Sequence, residues 1–175
     1  LAGFRENRVR VVILRANPGV HVWSAGHDVD ELPPPGQDPL HWAEILPRLT
    51  RAIHNFPSPV IAMIEGSVWG GACELAMACD LVVAAAGTTF ALTPAGLGVP
   101  YNINGLSTFT RSMTPQLLKE LLFTAAPMPA ERLASAGAIN AVVPVETLEA
   151  ITLDLAGKII QNAPLTIRAT KEMMN

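Results

Sequence analysis

Charge is scarce in this chain. Asp, Glu, Lys and Arg make up 15% of its 175 residues, against 50% hydrophobic residues, and the mean hydropathy is +0.33. A chain of this size and apolar content can bury a core, which excludes intrinsic disorder. A basic excess is missing as well: 12 Lys and Arg face 15 Asp and Glu, a net charge of −3. Nothing in that balance attracts a phosphate backbone, so no nucleic-acid partner is expected. Long clean hydrophobic runs are absent. The most apolar stretch, Leu75 to Leu92, is interrupted by Asp80 and falls short of the roughly 20 residues a membrane span needs. The cysteines are only Cys73 and Cys79, in an apolar run. They read as buried thiols of a cytosolic protein and not as a disulfide framework. There is no Gly-x-Gly-x-x-Gly fingerprint, and the glycines of 66–71 are not followed by the Lys-Ser/Thr of a Walker A loop. The four histidines, His21, His27, His41 and His54, lack metal-type spacing beside a second ligand.

What is present reads as one domain over residues 1–175. The chain opens on Leu1, and Arg5, Glu6, Arg8 and Arg10 interrupt any signal-peptide pattern. Met173, Met174 and Asn175 fall inside a helical stretch. Segments missing at both ends are therefore expected. They, or sister subunits, would cover part of the surplus apolar surface.

Residues 8–15 (RVRVVILR) predict a buried strand, and 17–26 predict a loop. Pro33-Pro34-Pro35-Gly36 predicts a rigid turn, and Asp38-Pro39 the start of a short helix. Pro47 should break that helix. A second one should run to about Phe56, with Leu46, Leu49, Ile53 and Phe56 on its apolar face. Residues 60–64 predict a strand buried on both faces, 66–71 a turn, and 72–79 a buried helix. Short strands are predicted at 81–86, 89–92 and 139–143. Further helices are predicted after Thr114-Pro115, over 129–136 with a stop at Gly137, along a stripe of Leu148, Ile151, Leu155 and Ile159, and from Ala163-Pro164 onward. This alternation predicts an α/β fold.

Two glycine-containing turns carry the chemical interest. The first is Ser24-Ala25-Gly26-His27-Asp28. The second, Gly66 to Glu74, joins a strand to the buried helix through Gly70-Gly71. Adjacent glycines let a ligand approach the backbone closely. The first N–H groups of a helix lack internal partners and sit at its positive end. A carbonyl oxygen placed there gains roughly 2.7–4 kcal/mol per donor as it becomes an oxyanion. The same glycines also fit a helix packed tightly on its sheet. His27 lies in the first turn, where its backbone N–H matters more than its ring. Glu74 sits in an otherwise apolar helix. A carboxyl group there needs a partner, and its neutral form would suit proton transfer; an ion pair or polar contact under the sheet is the alternative. Asp80 reads as a cap on the following turn. Tyr101, the only tyrosine, lies in a Gly- and Pro-rich loop, where it could position a substrate group or simply fill the loop. Thr93-Pro94 could line the same cavity.

Taken together, the two turns resemble the crotonase (enoyl-CoA hydratase/isomerase) superfamily. The pieces are SAGHDVDEL at 24–32, PVIAMIEGSVWGGACELAMACDLVVAA at 59–85, TFALTPAGLGVP at 89–100, and the later PMPAERLASAGAINAVVPVETL. The resemblance implies a spiral of ββα units, an acyl-CoA thioester ligand, trimers or dimers of trimers, and no metal or redox cofactor. It implies that the first strands and the C-terminal helices of the fold lie outside this chain. The oxyanion-hole N–H groups would be those of His27 and Gly71, with Ala25, Gly26, Asp28, Val29 and Thr93 contacting the substrate.

Family hydratases use two glutamates. Glu74 matches the first, and Ala95 stands where the second belongs. The pieces SAGHD, EGSVWGG and TPAGLGVPYN resemble instead a decarboxylating branch acting on methylmalonyl-CoA, which carries a tyrosine where Tyr101 lies. That implies decarboxylation through a stabilised enolate, with Tyr101 orienting the departing carboxylate and Glu74 serving proton delivery or loop order. The alternatives are a hydratase or isomerase working from Glu74 alone, and a non-catalytic acyl-CoA-binding subunit.

Overall fold

Parallel strand pairing organises the chain. The computed structural model describes residues 3–4, 8–28, 30, 45–101 and 103–175. Strands β1 (Val12–Arg15), β3 (Val60–Ile64), β5 (Leu81–Ala85) and β8 (Ala141–Val143) form one sheet in that order. All its pairs are parallel, in register Val12↔Val60, Ile61↔Leu81 and Val83↔Ala141. Strands β2 (Val22–Ser24), β4 (Ser67–Trp69), β6 (Thr89–Ala91) and β7 (Met128–Pro129) form a second sheet in that order, antiparallel only at β6–β7. Through β6 the chain alternates between the sheets, giving each one strand per turn of a spiral. The α/β spiral expected from the sequence is the fold observed.

The helices are α1 (Ile45–His54), α2 (Gly71–Met77), α3 (Pro94–Leu97), α4 (Ile103–Ser112), α5 (Pro115–Thr124), α6 (Ala130–Ser135), α7 (Val145–Ile160) and α8 (Pro164–Met174). Their ends follow local chemistry. Thr114 Oγ1 accepts the Leu117 N–H at 3.4 Å while Pro115 opens α5. Gly137, at φ +75°, follows α6. Among the described residues no helix is long and apolar enough to cross a membrane.

All five residues of β3 are buried, and they divide by the two-residue period of a strand. Val60, Ala62 and Ile64 join the main core with α2 and the second sheet. Ile61 and Met63 join Val83, Ala85, Leu148 and Ala156 beneath α7. A helix layer thus covers the outer face of the first sheet, which is why β3 and β5 read as continuous apolar runs.

Several expectations need correction. β1 buries only Val12, because it is an edge among the described strands. The expected loop at 17–26 contains β2, and the expected turn at 66–71 contains β4; in both, three residues of pairing hide among turn formers. Pro47 lies within α1, so the helix expected to follow it already includes Ile45 and Leu46. The buried line of α1 is Pro47, Thr50 and Ile53, while Leu49 is 47% exposed. On α7 the buried line is Leu148, Thr152 and Ala156, and Ile151 faces outward. Thr152 tolerates burial because its hydroxyl donates to Leu148 O at 2.7 Å. Helices α3 and α4 were not expected. The Pro33–Gly36 turn, the helix start at Asp38-Pro39, His41 and Val29 lie outside the described residues.

Asp80 is not a turn cap. Its Oδ2 accepts the Val60 N–H at 2.7 Å and the Lys171 ammonium at 2.6 Å. Lys171 is 7% exposed, and it also donates to Ile53 O and Ser58 O at 3.0 and 3.2 Å. One ammonium therefore joins α8 to the end of α1, the entry to β3 and the exit from α2.

Candidate active site

The first turn leaves β2 at Ser24, whose Oγ accepts the Gly26 N–H at 3.2 Å. Gly26 takes φ +85°. A side chain there would come 2.5 Å from Trp69 O and 3.0 Å from Gly71 N. The backbone of the first turn therefore lies directly on the start of α2, and only glycine permits the approach. The two turns, far apart in sequence, are one structure. Asp28 Oδ1 accepts the Asp30 N–H at 3.0 Å and bends the chain just past His27. Ala25, Gly26 and Asp28 are exposed, and His27 is half-buried.

The second turn is held from the opposite side. The Gly70 N–H donates to Ala91 O at 2.8 Å, which fixes β4 on β6, and Gly70 itself takes φ +52°. A side chain at Gly70 would stand 3.8 Å from Thr93 Oγ1, so Thr93 is brought to this turn. Gly71 is the first residue of α2, where a backbone N–H has no intrahelical acceptor. A side chain on Gly71 would come 3.0 Å from Leu46 Cδ2. α1 therefore roofs this end of the site, a contact the sequence reading did not anticipate.

Glu74 lies in the first turn of α2 and is completely buried. Its partner is a tyrosine: the Tyr101 hydroxyl donates to Glu74 Oε2 at 3.2 Å. The Tyr101 ring packs edge-on against Phe109, with centroids 5.5 Å apart and planes at 70°. Burial first, and then the neighbouring Glu74, push the Tyr101 hydroxyl well above the usual phenol range. It remains a neutral donor at ordinary pH. Sequence reasoning weighed the two residues separately; the structure makes them one unit.

Cys73 sits beneath this turn with its Sγ 3.3 Å from Val68 O and 3.4 Å from Ala91 O. Burial pushes its thiol up to about 12, so it packs as a weak donor and not as a nucleophile. Phe109 and Gly105 of α4 were missed as site residues. Leu106, Phe109 and Met113, spaced at one and two helical turns and packed in the core, are the signal that would have found that helix.

The chain belongs to the enoyl-CoA hydratase/isomerase family, whose model matches residues 1–175. Within that family it is 48% identical over 172 residues to the methylmalonyl-CoA decarboxylase of Escherichia coli K12, covering 98% of this chain and 66% of that protein. It is 34% identical over 128 residues to a crotonyl-CoA hydratase of Syntrophomonas wolfei, covering 73% of this chain and 49% of that protein. The crystal structure of methylmalonyl-CoA decarboxylase in complex with 2-nitronate-propionyl-CoA superposes with a TM-score of 0.94 at 47% identity, covering 99% of this chain and 66% of that one. The chain spans just under two thirds of the decarboxylase's length and about half of the hydratase's.

Proposed function

We propose that the protein decarboxylates methylmalonyl-CoA, a malonyl-type thioester, to propionyl-CoA. The observation that carries this reading is the hydrogen bond from Tyr101 to the buried Glu74, in a site where Ala95 occupies the place of a hydratase's second glutamate. The similarity to the E. coli decarboxylase, higher than that to the hydratase, supports it.

In this reading the backbone N–H groups of His27 and Gly71 hold the thioester oxygen, and the contact between the two turns supports their convergence. The bond from the α carbon to the carboxylate breaks, carbon dioxide leaves, and the electron pair moves into the enolate. Charge grows on the thioester oxygen, where fixed donors count most. No base need remove a proton first, because decarboxylation supplies the electrons. A proton then adds to the α carbon and completes propionyl-CoA. Tyr101, kept neutral, turns its single hydroxyl proton from Glu74 to the departing carboxylate when substrate binds, and so orients it. Glu74 holds the tyrosine hydroxyl and is the group we assign to proton delivery. Ala25, Gly26, Asp28 and Thr93 line the acyl and pantetheine path. The reaction so written balances without a metal or redox cofactor. A cytosolic homotrimer or dimer of trimers completes the proposal, and the exposed Ile103, Phe123 and Leu165 are apolar surface that such an assembly could cover.

The test offers methylmalonyl-CoA and crotonyl-CoA to the same preparation and follows both by chromatography. Propionyl-CoA from the first substrate is the expected result. Hydration of the second without turnover of the first would remove this chemistry. Tight thioester binding without turnover of either would make the protein a binding subunit.

A further inference from the structure

Gly105 is the third residue of α4 and is buried. Glycine is a poorer helix former than alanine. The backbone here is ordinary right-handed helix, so alanine could adopt it and the requirement is one of space. A methyl group at Gly105 would come 2.5 Å from Glu74 Oε2, 2.9 Å from Tyr101 Cδ1, and closer still to Tyr101 Cε1. Contacts this short do not survive. The carboxylate is the end of a flexible side chain and can turn aside. The ring is the rigid neighbour: two of its carbons lie within clashing distance of the added methyl, and Phe109, one turn along the same helix, meets it edge-on. The half-buried Tyr101 would have to swing outward.

We propose that Gly105 is a positioning residue for Tyr101. Its missing side chain is the slot in which the ring lies, and the slot is what keeps the hydroxyl within reach of Glu74 and of the substrate carboxylate. The consequence for catalysis rests on the function proposed above; the slot itself does not.

Gly105→Ala tests it beside Tyr101→Phe and Tyr101→Ala. With methylmalonyl-CoA, Gly105→Ala is expected to lower kcat by the same factor as Tyr101→Phe, within about twofold. KM should stay within about twofold, since the thioester is gripped by the two turns. Adding Gly105→Ala to Tyr101→Ala should change kcat by less than about twofold, the coupling expected when one residue acts only through another. A readout independent of the reaction is the alkaline absorbance titration of Tyr101, isolated as the difference from Tyr101→Phe. In Gly105→Ala the titration should fall from well above 10 toward the phenol value of about 10. An unmoved titration, or an equal loss of kcat with and without the tyrosine, overturns the proposal. If the parent decarboxylates nothing and the titration still falls, the slot stands and the assigned reaction goes. Should Gly105→Ala fail to fold, the double variant Tyr101→Ala/Gly105→Ala decides: recovery of folded protein upholds the slot, and continued failure overturns it.

Discussion

At one end of α2, Glu74 receives the Tyr101 hydroxyl at 3.2 Å; three residues past the other end, Asp80 receives the Lys171 ammonium at 2.6 Å. The Lys171 contact joins opposite charges, and the ammonium's other protons go to two backbone carbonyls. It stitches α8 to segments 91 to 118 positions earlier in the chain, and α8 depends on it, since Lys171 is that helix's only buried residue. The Tyr101 contact ties down no distant element. It joins two groups that can each carry a proton, beside a turn whose N–H groups precede the helix ladder. The first contact is what stability asks of a buried polar group, and the second is what chemistry asks.

The comparison can be broken most forcefully at Lys171. Lys171→Ala leaves Asp80 without its cation and should cost about 3–5 kcal/mol, a fall in Tm of about 10 °C. Asp80→Asn/Lys171→Met should regain much of that loss in thermal unfolding. A wild-type Tm for Lys171→Ala would refute the role given to the pair. Next comes Gly71→Pro. Proline is acceptable at the first helical position and removes one N–H donor; Leu46 and the Gly26 backbone, which lies against Gly71 N, must make room for the ring, so turnover is compared at equal folded protein. Turnover of methylmalonyl-CoA should drop by about 10²–10³ while the circular dichroism spectrum is retained. Tyr101→Phe should lower kcat by roughly tenfold to a hundredfold, the worth of a hydrogen bond to a charged group. Its Tm should shift far less than that of Lys171→Ala; the reverse ranking would erase the distinction drawn here.

A further prediction concerns pH. Burial pushes the thiols of Cys73 and Cys79 up to about 12 and the Tyr101 phenol well above 10. In each case the folded form holds its proton where the unfolded chain has lost it. Their stabilising contribution is complete below about pH 9 and declines as pH rises from there through the folded-state values. Denaturant midpoints measured from pH 8 to 11 should fall accordingly, and Tyr101→Phe should flatten the part that begins near pH 10.

Much of this was legible in the residues. Runs such as Val60–Ile64, short, apolar and rich in β-branched residues, read as buried strands, and Thr114-Pro115 and Gly137 mark helix ends by local chemistry. The paired turns were recognisable because an approach as close as that of Gly26 to Gly71 tolerates few residue types. What stayed hidden was set by tertiary contact. β2 and β4 are three-residue strands that exist only because their neighbours pair with them. Leu49 and Ile151 fit a helical stripe, yet the faces were chosen by the sheet beneath α7 and the core beneath α1. Asp80 and Lys171 meet across 91 positions. The pairing of Glu74 with Tyr101 joins residues 27 positions apart, and nothing in either local sequence signals that they meet.

Because the spiral deals successive strands to alternate sheets, almost no strand pairs with its neighbour in sequence. Val12 waits for Val60, and Val83 waits for Ala141. Each ladder must close a long loop before it gains a hydrogen bond, which places the chain among slow folders of high contact order. During that interval β3 and β5, apolar on both faces, have nothing to hide against. The refolding yield of this protein should therefore fall steeply with its concentration.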